Sequence, residues 1–147
     1  MATVPEWPHL GQECRETSPA TTDYNCIAWA AGDTKRWWWP NPALTYYWPV
    51  GAPRTLTLDA FARAYSALGY EPCANSNLEA DFEKVAIYVD SADRPTHAAR
   101  QLPDGRWTSK LGNLIDIEHA NLECLRGLYG RVALVVRRSR FRSQTLP

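Results

Sequence analysis

The stretch "THAARQLPDGRWTSKLG", residues 96–112, constrains the fold more than any other. Two strand-like runs, 96–102 and 106–112, flank "PDG". Proline pre-sets the φ of a turn and glycine accepts the positive φ that closes it, so the segment predicts a β-hairpin. If "LPDG" forms a type I turn with a glycine bulge, Ala99 faces Ser109 and His97 faces Leu111. His97, Ala99, Gln101, Trp107 and Ser109 then share one face, because side chains alternate along a strand. Ser109 would lie diagonal to His97, within reach of its ring. A slip of one residue would bring Thr108 and Lys110 there instead.

More strands follow the same logic. "KVAIYVD" (84–90) alternates Val85, Ile87 and Val89, and "GRVALVVRR" (130–138) has the continuous apolar run of a buried central strand. Upstream, "TLDAFARAYSALG" (57–69) places Leu58, Phe61, Ala62, Tyr65 and Leu68 at helical spacing, with Thr57 as cap and Gly69 as terminator. "CIAWAAG" (26–32) reads as a short helix capped by Asp23 or Asn25 and ended by Gly32. "DIEH" within 115–127 reads as the start of another helix, from Asp116. Between the first two helices lies "RWWWPNPALTYYWPVGAPR". Pro40, Pro42, Pro49 and Pro53 forbid long regular structure there. Helices precede strands, which predicts an α+β domain with N-terminal helices on a mostly antiparallel sheet.

A chain of 147 residues suits a single domain, with a core at about 20–138, a polar arm over 1–19 and a basic tail over 139–147. The formal net charge is zero, which argues against nucleic acid or an anionic membrane as partner. Arg137, Arg138, Arg140 and Arg142 form the one basic cluster. They read as a solvated tail, with a phosphate-binding patch as the other reading. No leader-like segment opens the sequence and no apolar run is long enough to span a bilayer, so a cytoplasmic setting is the expectation. Cys14, Cys26, Cys73 and Cys124 are then expected to be unpaired. Their scatter lacks zinc-finger spacing, and no cofactor is called for.

Cys26 opens its helix. There the unpaired amides and the helix dipole favour a thiolate and can hold an oxyanion. A buried, inert cysteine is the plain alternative. A nucleophile needs a base, and His97 at a strand mouth is the candidate. His9 sits in the polar arm. Ser109, Asp116 and His119 are candidates to orient the base; on a helix, Asp116 and His119 would share a face. A metal site built from His97, Asp116, His119 and Cys26 is a further reading, without a tight motif behind it. Consecutive Trp37, Trp38 and Trp39 cannot all point into one core, so with Trp107 they are candidates for an apolar substrate groove or for packing under a loop.

The blocks "DYNCIAWAAGD…WWWP", "THAARQL…GRWTSKLG" and "DIEH…YG" resemble an uncharacterised bacterial domain family. Helical cysteine, then a strand opened by histidine, then a polar orienter, is also the order of papain-like cysteine hydrolases of the NlpC type. That resemblance implies a papain-like fold with Cys26 as nucleophile and His97 as general base. It implies action on an amide bond of a peptide or protein, as peptidase, amidase, deamidase or transferring enzyme. No glutamine precedes the cysteine in "SPATTDYN", so Asn25, Thr22 or backbone amides are left for the oxyanion. The competing expectation is a catalytically inactive module of the same fold that binds a peptide or small ligand in an aromatic groove.

Overall fold

A computed structural model describes residues 14–18, 23–43, 45–111 and 115–140. His9, Thr22 and Arg142, named above, lie outside these. Seven strands form one sheet: β1 (Cys14–Ser18), β2 (Glu71–Pro72), β3 (Phe82–Val89), β4 (Pro95–Gln101), β5 (Trp107–Lys110), β6 (Asp116–His119) and β7 (Arg131–Ser139). Their order across the sheet is β1-β6-β5-β4-β3-β7-β2, and the pairings are antiparallel. The helices are α1 (Cys26–Ala30), α2 (Leu58–Ser66) and α3 (Arg126–Tyr129), the last preceded by a 3₁₀ turn over Glu123–Leu125. The protein is thus α+β. No helix among the described residues is long and apolar enough to cross a membrane.

The hairpin has the expected register. Arg100 faces Thr108 and Gln101 faces Trp107. The amide of Gly105 donates to Leu102 O at 3.0 Å, and Gly105 adopts φ +93°. An L side chain pays a steric cost at such a φ and glycine does not.

Each face of the sheet carries its own core. Val85, Ile87, Ala98 and Val136 join Tyr24, Cys26, Ile27, Phe61, Tyr65, Trp38 and Trp48. Ala86, Tyr88, Ala99, Val135 and Trp107 join Ile117, Cys124 and Leu125. Alternation along β3 feeds both clusters, which is why Lys84 to Val89 are buried without a break. α1 and α2 cover the first face, and the 3₁₀ turn with α3 covers the second.

Caps fix the two helices of the first face. Thr57 Oγ1 accepts from the amide of Ala60 at 3.2 Å and starts α2. Asn25 Oδ1 accepts from the amides of Ala28 at 3.1 Å and Trp38 at 3.2 Å, and Asn25 Nδ2 donates to Trp38 O at 2.7 Å. One side chain therefore starts α1 and pins the tryptophan run to it. Tyr65 donates its hydroxyl to Ile27 O at 2.9 Å, which ties α2 to α1.

Four expectations change. Residues 116–119 form a strand, not the start of a helix. Asp116 to His119 pair with Lys110 to Trp107 on one side and with Ser18 to Cys14 on the other. Two ladders outweigh the weak helical pattern of a four-residue segment that carries a β-branched Ile117. Residues 14–18, within the polar arm, are the edge strand β1. β7 is not central; it lies next to the short edge strand β2, and Val132 to Leu134 are only half-buried. Its arginines are not a solvated tail either. Arg137 pairs with Glu79 at 2.6 Å, and Arg138 with Glu83 at 2.5 Å.

Candidate functional site

The β4–β5 register puts His97 and Ser109 on one face. His97 Nε2 lies 3.0 Å from Ser109 Oγ. β6 adds His119 from the next strand, with Nε2 2.8 Å from the same oxygen. The far nitrogen of His119, Nδ1, lies 2.8 Å from Asn121 O. All three side chains are buried.

These contacts fix the protons when both rings are neutral. A carbonyl oxygen only accepts, so His119 carries its hydrogen on Nδ1. His119 Nε2 is then an acceptor and takes the Ser109 hydroxyl hydrogen. Ser109 has one hydrogen to give, so its oxygen accepts from His97 Nε2–H. His97 Nδ1 is left with a bare lone pair. That nitrogen is buried and has no hydrogen-bond partner among the described residues. Burial, and then the charge of His119, hold the His97 pKa well below its ordinary value. His97 is therefore a neutral base, its tautomer set by a chain that ends on the backbone.

Tyr129 lies flat on His97, with ring centroids 4.1 Å apart and planes 9° apart. Thr96 Oγ1 donates to Tyr129 O and holds the end of α3 in place. Gly130 follows with φ +95°, and a Cβ there would fall 2.0 Å from Val89 O. Glycine is required because the chain turns against β3 with no room for a side chain. On the same face, Tyr88 meets the His97 ring edge-on at 5.4 Å. A cavity of about 220 Å³ bounded by Tyr88, Glu123, Arg126 and Gly130 opens beside Tyr88, and His97 does not line it.

Cys26 is the first residue of α1 and is 7% exposed. Burial pushes its thiol up to about 11, while the amides of Ala98, Ile27 and Cys26 itself, and then the charge of Lys110, pull it back. The Ala98 amide follows His97 directly in β4; Cys26 packs with the Ala98 side chain in the first core, whereas the His97 ring packs with Tyr88 on the other face. Tyr129 links the two groups: its hydroxyl is pushed far up by burial and then by the charge of Cys26, while its ring covers His97.

The other expected residues are placed elsewhere. Asp116 lies across β6 from His119 and accepts the Tyr24 hydroxyl at 2.6 Å; it takes no part in the His97 chain. Lys110, opposite Asp116, is buried, with Nζ 5.3 Å from the Tyr24 ring centroid; burial lowers its pKa, and Asp116 and Cys26 act against that. The Asn25 amide nitrogen is held by Trp38 O. The four tryptophans do not line one groove. Trp38 is in the first core, Trp39 packs edge-on to Phe61 at 5.7 Å, Trp37 meets Tyr46 at 6.2 Å, and Trp107 is buried in the second core. No group of three or more His, Cys, Asp or Glu among the described residues is placed to hold a metal. Cys26 and Cys73 are free thiols.

Tyr129 and the Ala98 amide were not singled out in the sequence. The "YG" pair at 129–130 carries the only trace of the first, and a backbone amide leaves none. Neither the curated proteins nor the solved structures contain a match to the chain. A family model does match, over residues 15–137, and the chain belongs to that family, a domain of unknown function designated DUF7689.

Proposed function

We propose that the protein is a cysteine hydrolase or acyl-transfer enzyme acting on an amide bond, with Cys26 as nucleophile, His97 as general base and a papain-like arrangement of helix and sheet. The observation that carries this reading is the bare Nδ1 of His97, left as a base by Ser109, His119 and Asn121 O. Such a chain orients an imidazole in the way a catalytic base requires. His97 would take the thiol proton as the sulfur attacks the amide carbonyl. The carbon–nitrogen bond then breaks, and the imidazolium returns the proton to the leaving amine. Water or a second amine would resolve the thioester, giving hydrolysis or transfer. The Cys26 amide is the backbone candidate for the oxyanion.

A second reading has its own support. His97 is fully buried and Cys26 nearly so, which suits an inactive module of this fold that binds a peptide or small ligand. Acylation by p-nitrophenyl acetate at neutral pH, followed by peptide mass spectrometry, separates the two. Under the enzyme reading Cys26 acquires the acetyl group faster than the more exposed Cys73. His97→Gln then slows that acylation about 100-fold, within the range of general-base catalysis. Equal labelling of Cys26 in the wild type and in His97→Gln would leave the binding module standing.

A further inference from the structure

The turn that follows α1 builds a second, larger cavity. Residues 31–36 enclose about 440 Å³ together with Trp38 and Leu68. That volume is within the range of about 300–1,000 Å³ typical of small-ligand sites. Its one carboxylate is saturated. Asp33 Oδ1 accepts from the amides of Lys35 at 2.8 Å and Arg36 at 3.2 Å. Asp33 Oδ2 accepts from Arg36 Nε at 2.8 Å and from Trp38 Nε1 at 2.9 Å. A carboxylate has about four acceptor positions, and all are taken. Burial raises the Asp33 pKa, but the bonds from Trp38, Lys35 and Arg36 outweigh burial and lower it, so the group is ionised at neutral pH.

The two cations of the cavity are in the opposite state. The Arg36 guanidinium lies 3.6 Å from the Tyr47 ring centroid. Tyr47 is itself fixed by backbone bonds to Trp37 at 3.1 Å and Trp39 at 3.0 Å. Arg36 is thus held by its Nε and its flat face, while its two Nη groups have no partner among the described residues. The Lys35 ammonium, exposed on the same turn, has none among them either. The charged groups still open in the cavity are therefore donors, and Lys35 and Arg36 against Asp33 leave one positive charge uncompensated. A cationic ligand would find no open carboxylate. Ala31, Leu68 and Trp38 supply an apolar wall beside the donors.

We propose that this cavity binds a small organic monoanion, a carboxylate with an apolar body. The open Nη edge of Arg36 is a planar pair of donors that matches the two oxygens of a carboxylate, and Lys35 adds a point charge. The apolar body lies on Ala31 and Leu68. One excess positive charge in the cavity matches one negative charge on the ligand. The site is at the opposite end of α1 from Cys26 and does not depend on the chemistry proposed there.

Titration of the full chain with benzoate at low salt, followed by amide NMR, tests this. Saturable one-site binding that shifts the amides of residues 31–36 is expected. Benzyl alcohol keeps the ring without the charge, and benzylammonium reverses the charge. Both should bind about ten-fold more weakly or worse, as the loss of a charge-assisted hydrogen bond implies. Lys35→Met and Arg36→Gln each remove one charged donor from an exposed side chain, and each should weaken benzoate binding by about the same factor with the rest of the folded spectrum unchanged. Absence of saturable binding by the wild type overturns the proposal, as does benzoate binding that either variant retains or that benzylammonium equals. Phenyl phosphate is the last comparison; tighter binding of phenyl phosphate than of benzoate would overturn the carboxylate assignment.

Discussion

Ser109 is the joint of the His97 chain, and replacing it with alanine gives the sharpest test of that geometry. The substitution removes one oxygen and strands two buried ring nitrogens, Nε2 of His97 and Nε2 of His119. Each buried group left unpaired costs about 1–3 kcal/mol, so Ser109→Ala should destabilise the fold by about 2–6 kcal/mol. For a domain of this size that lowers Tm by about 5–15 °C. His119→Leu should also destabilise, by removing the ring's hydrogen bond to Asn121 O and leaving the serine hydroxyl hydrogen without an acceptor. The two losses should not add. Once Ser109 is gone, His119 has less to lose, and a double-mutant cycle by urea denaturation should return a coupling of about 1–2 kcal/mol. The ring nitrogen spectrum of the wild type should show His97 protonated at Nε2. A cycle that is additive within about 0.5 kcal/mol, or a His97 protonated at Nδ1, would refute the chain.

Two other outcomes follow from burial and close approach. His97 has a folded pKa well below its unfolded value, so below about pH 6.5 the unfolded chain takes up a proton that the native site refuses. Its contribution to stability is full above that pH and falls on acidification by up to about 1.4 kcal/mol per pH unit; denaturant midpoints compared between wild type and His97→Gln over pH 5–7 should show that slope only in the wild type. Gly130→Ala would place a Cβ 2.0 Å from Val89 O at a φ of +95°, so it should cost about 3 kcal/mol or more. Thermal melts measure this, and a loss below about 1 kcal/mol would mean that the β3–α3 junction has slack.

What the residues disclosed follows the range of the forces involved. The hairpin register was legible because Pro103, Asp104 and Gly105 decide it locally, and that register alone brings Ser109 to His97. α2 was legible from Thr57, Gly69 and its apolar spacing. β6 was not. "DIEH" satisfies a weak helical spacing, while the ladders that make it a strand come from β5 and from β1, about a hundred residues upstream. Asp116 and His119 consequently part to opposite faces. His119 still reaches the site, but from a neighbouring strand and through Ser109, not as the turn-mate of Asp116. Asn25 shows the same limit: its type announced a cap, but its bonds to Trp38 depend on how the proline-rich excursion folds back.

The separation between the two central pKa shifts bears on how the proposed chemistry would run. The thiol is pushed up and the imidazole is held down, so at rest both groups are neutral, not a thiolate and an imidazolium. Burial causes both shifts, and a dry site disfavours the charged forms of both groups alike. Charge would therefore separate only as a substrate carbonyl arrives to accept the sulfur. The groups that already oppose burial at Cys26, the Ala98 and Ile27 amides and the Lys110 charge, would then do most for the forming charge. Lys110→Met should thus slow acylation of Cys26 by p-nitrophenyl acetate while leaving the His97 tautomer in place, because Lys110 lies on the α1 face and the Ser109–His119 chain on the other. An equal acylation rate in Lys110→Met would show that the amides alone carry the charge.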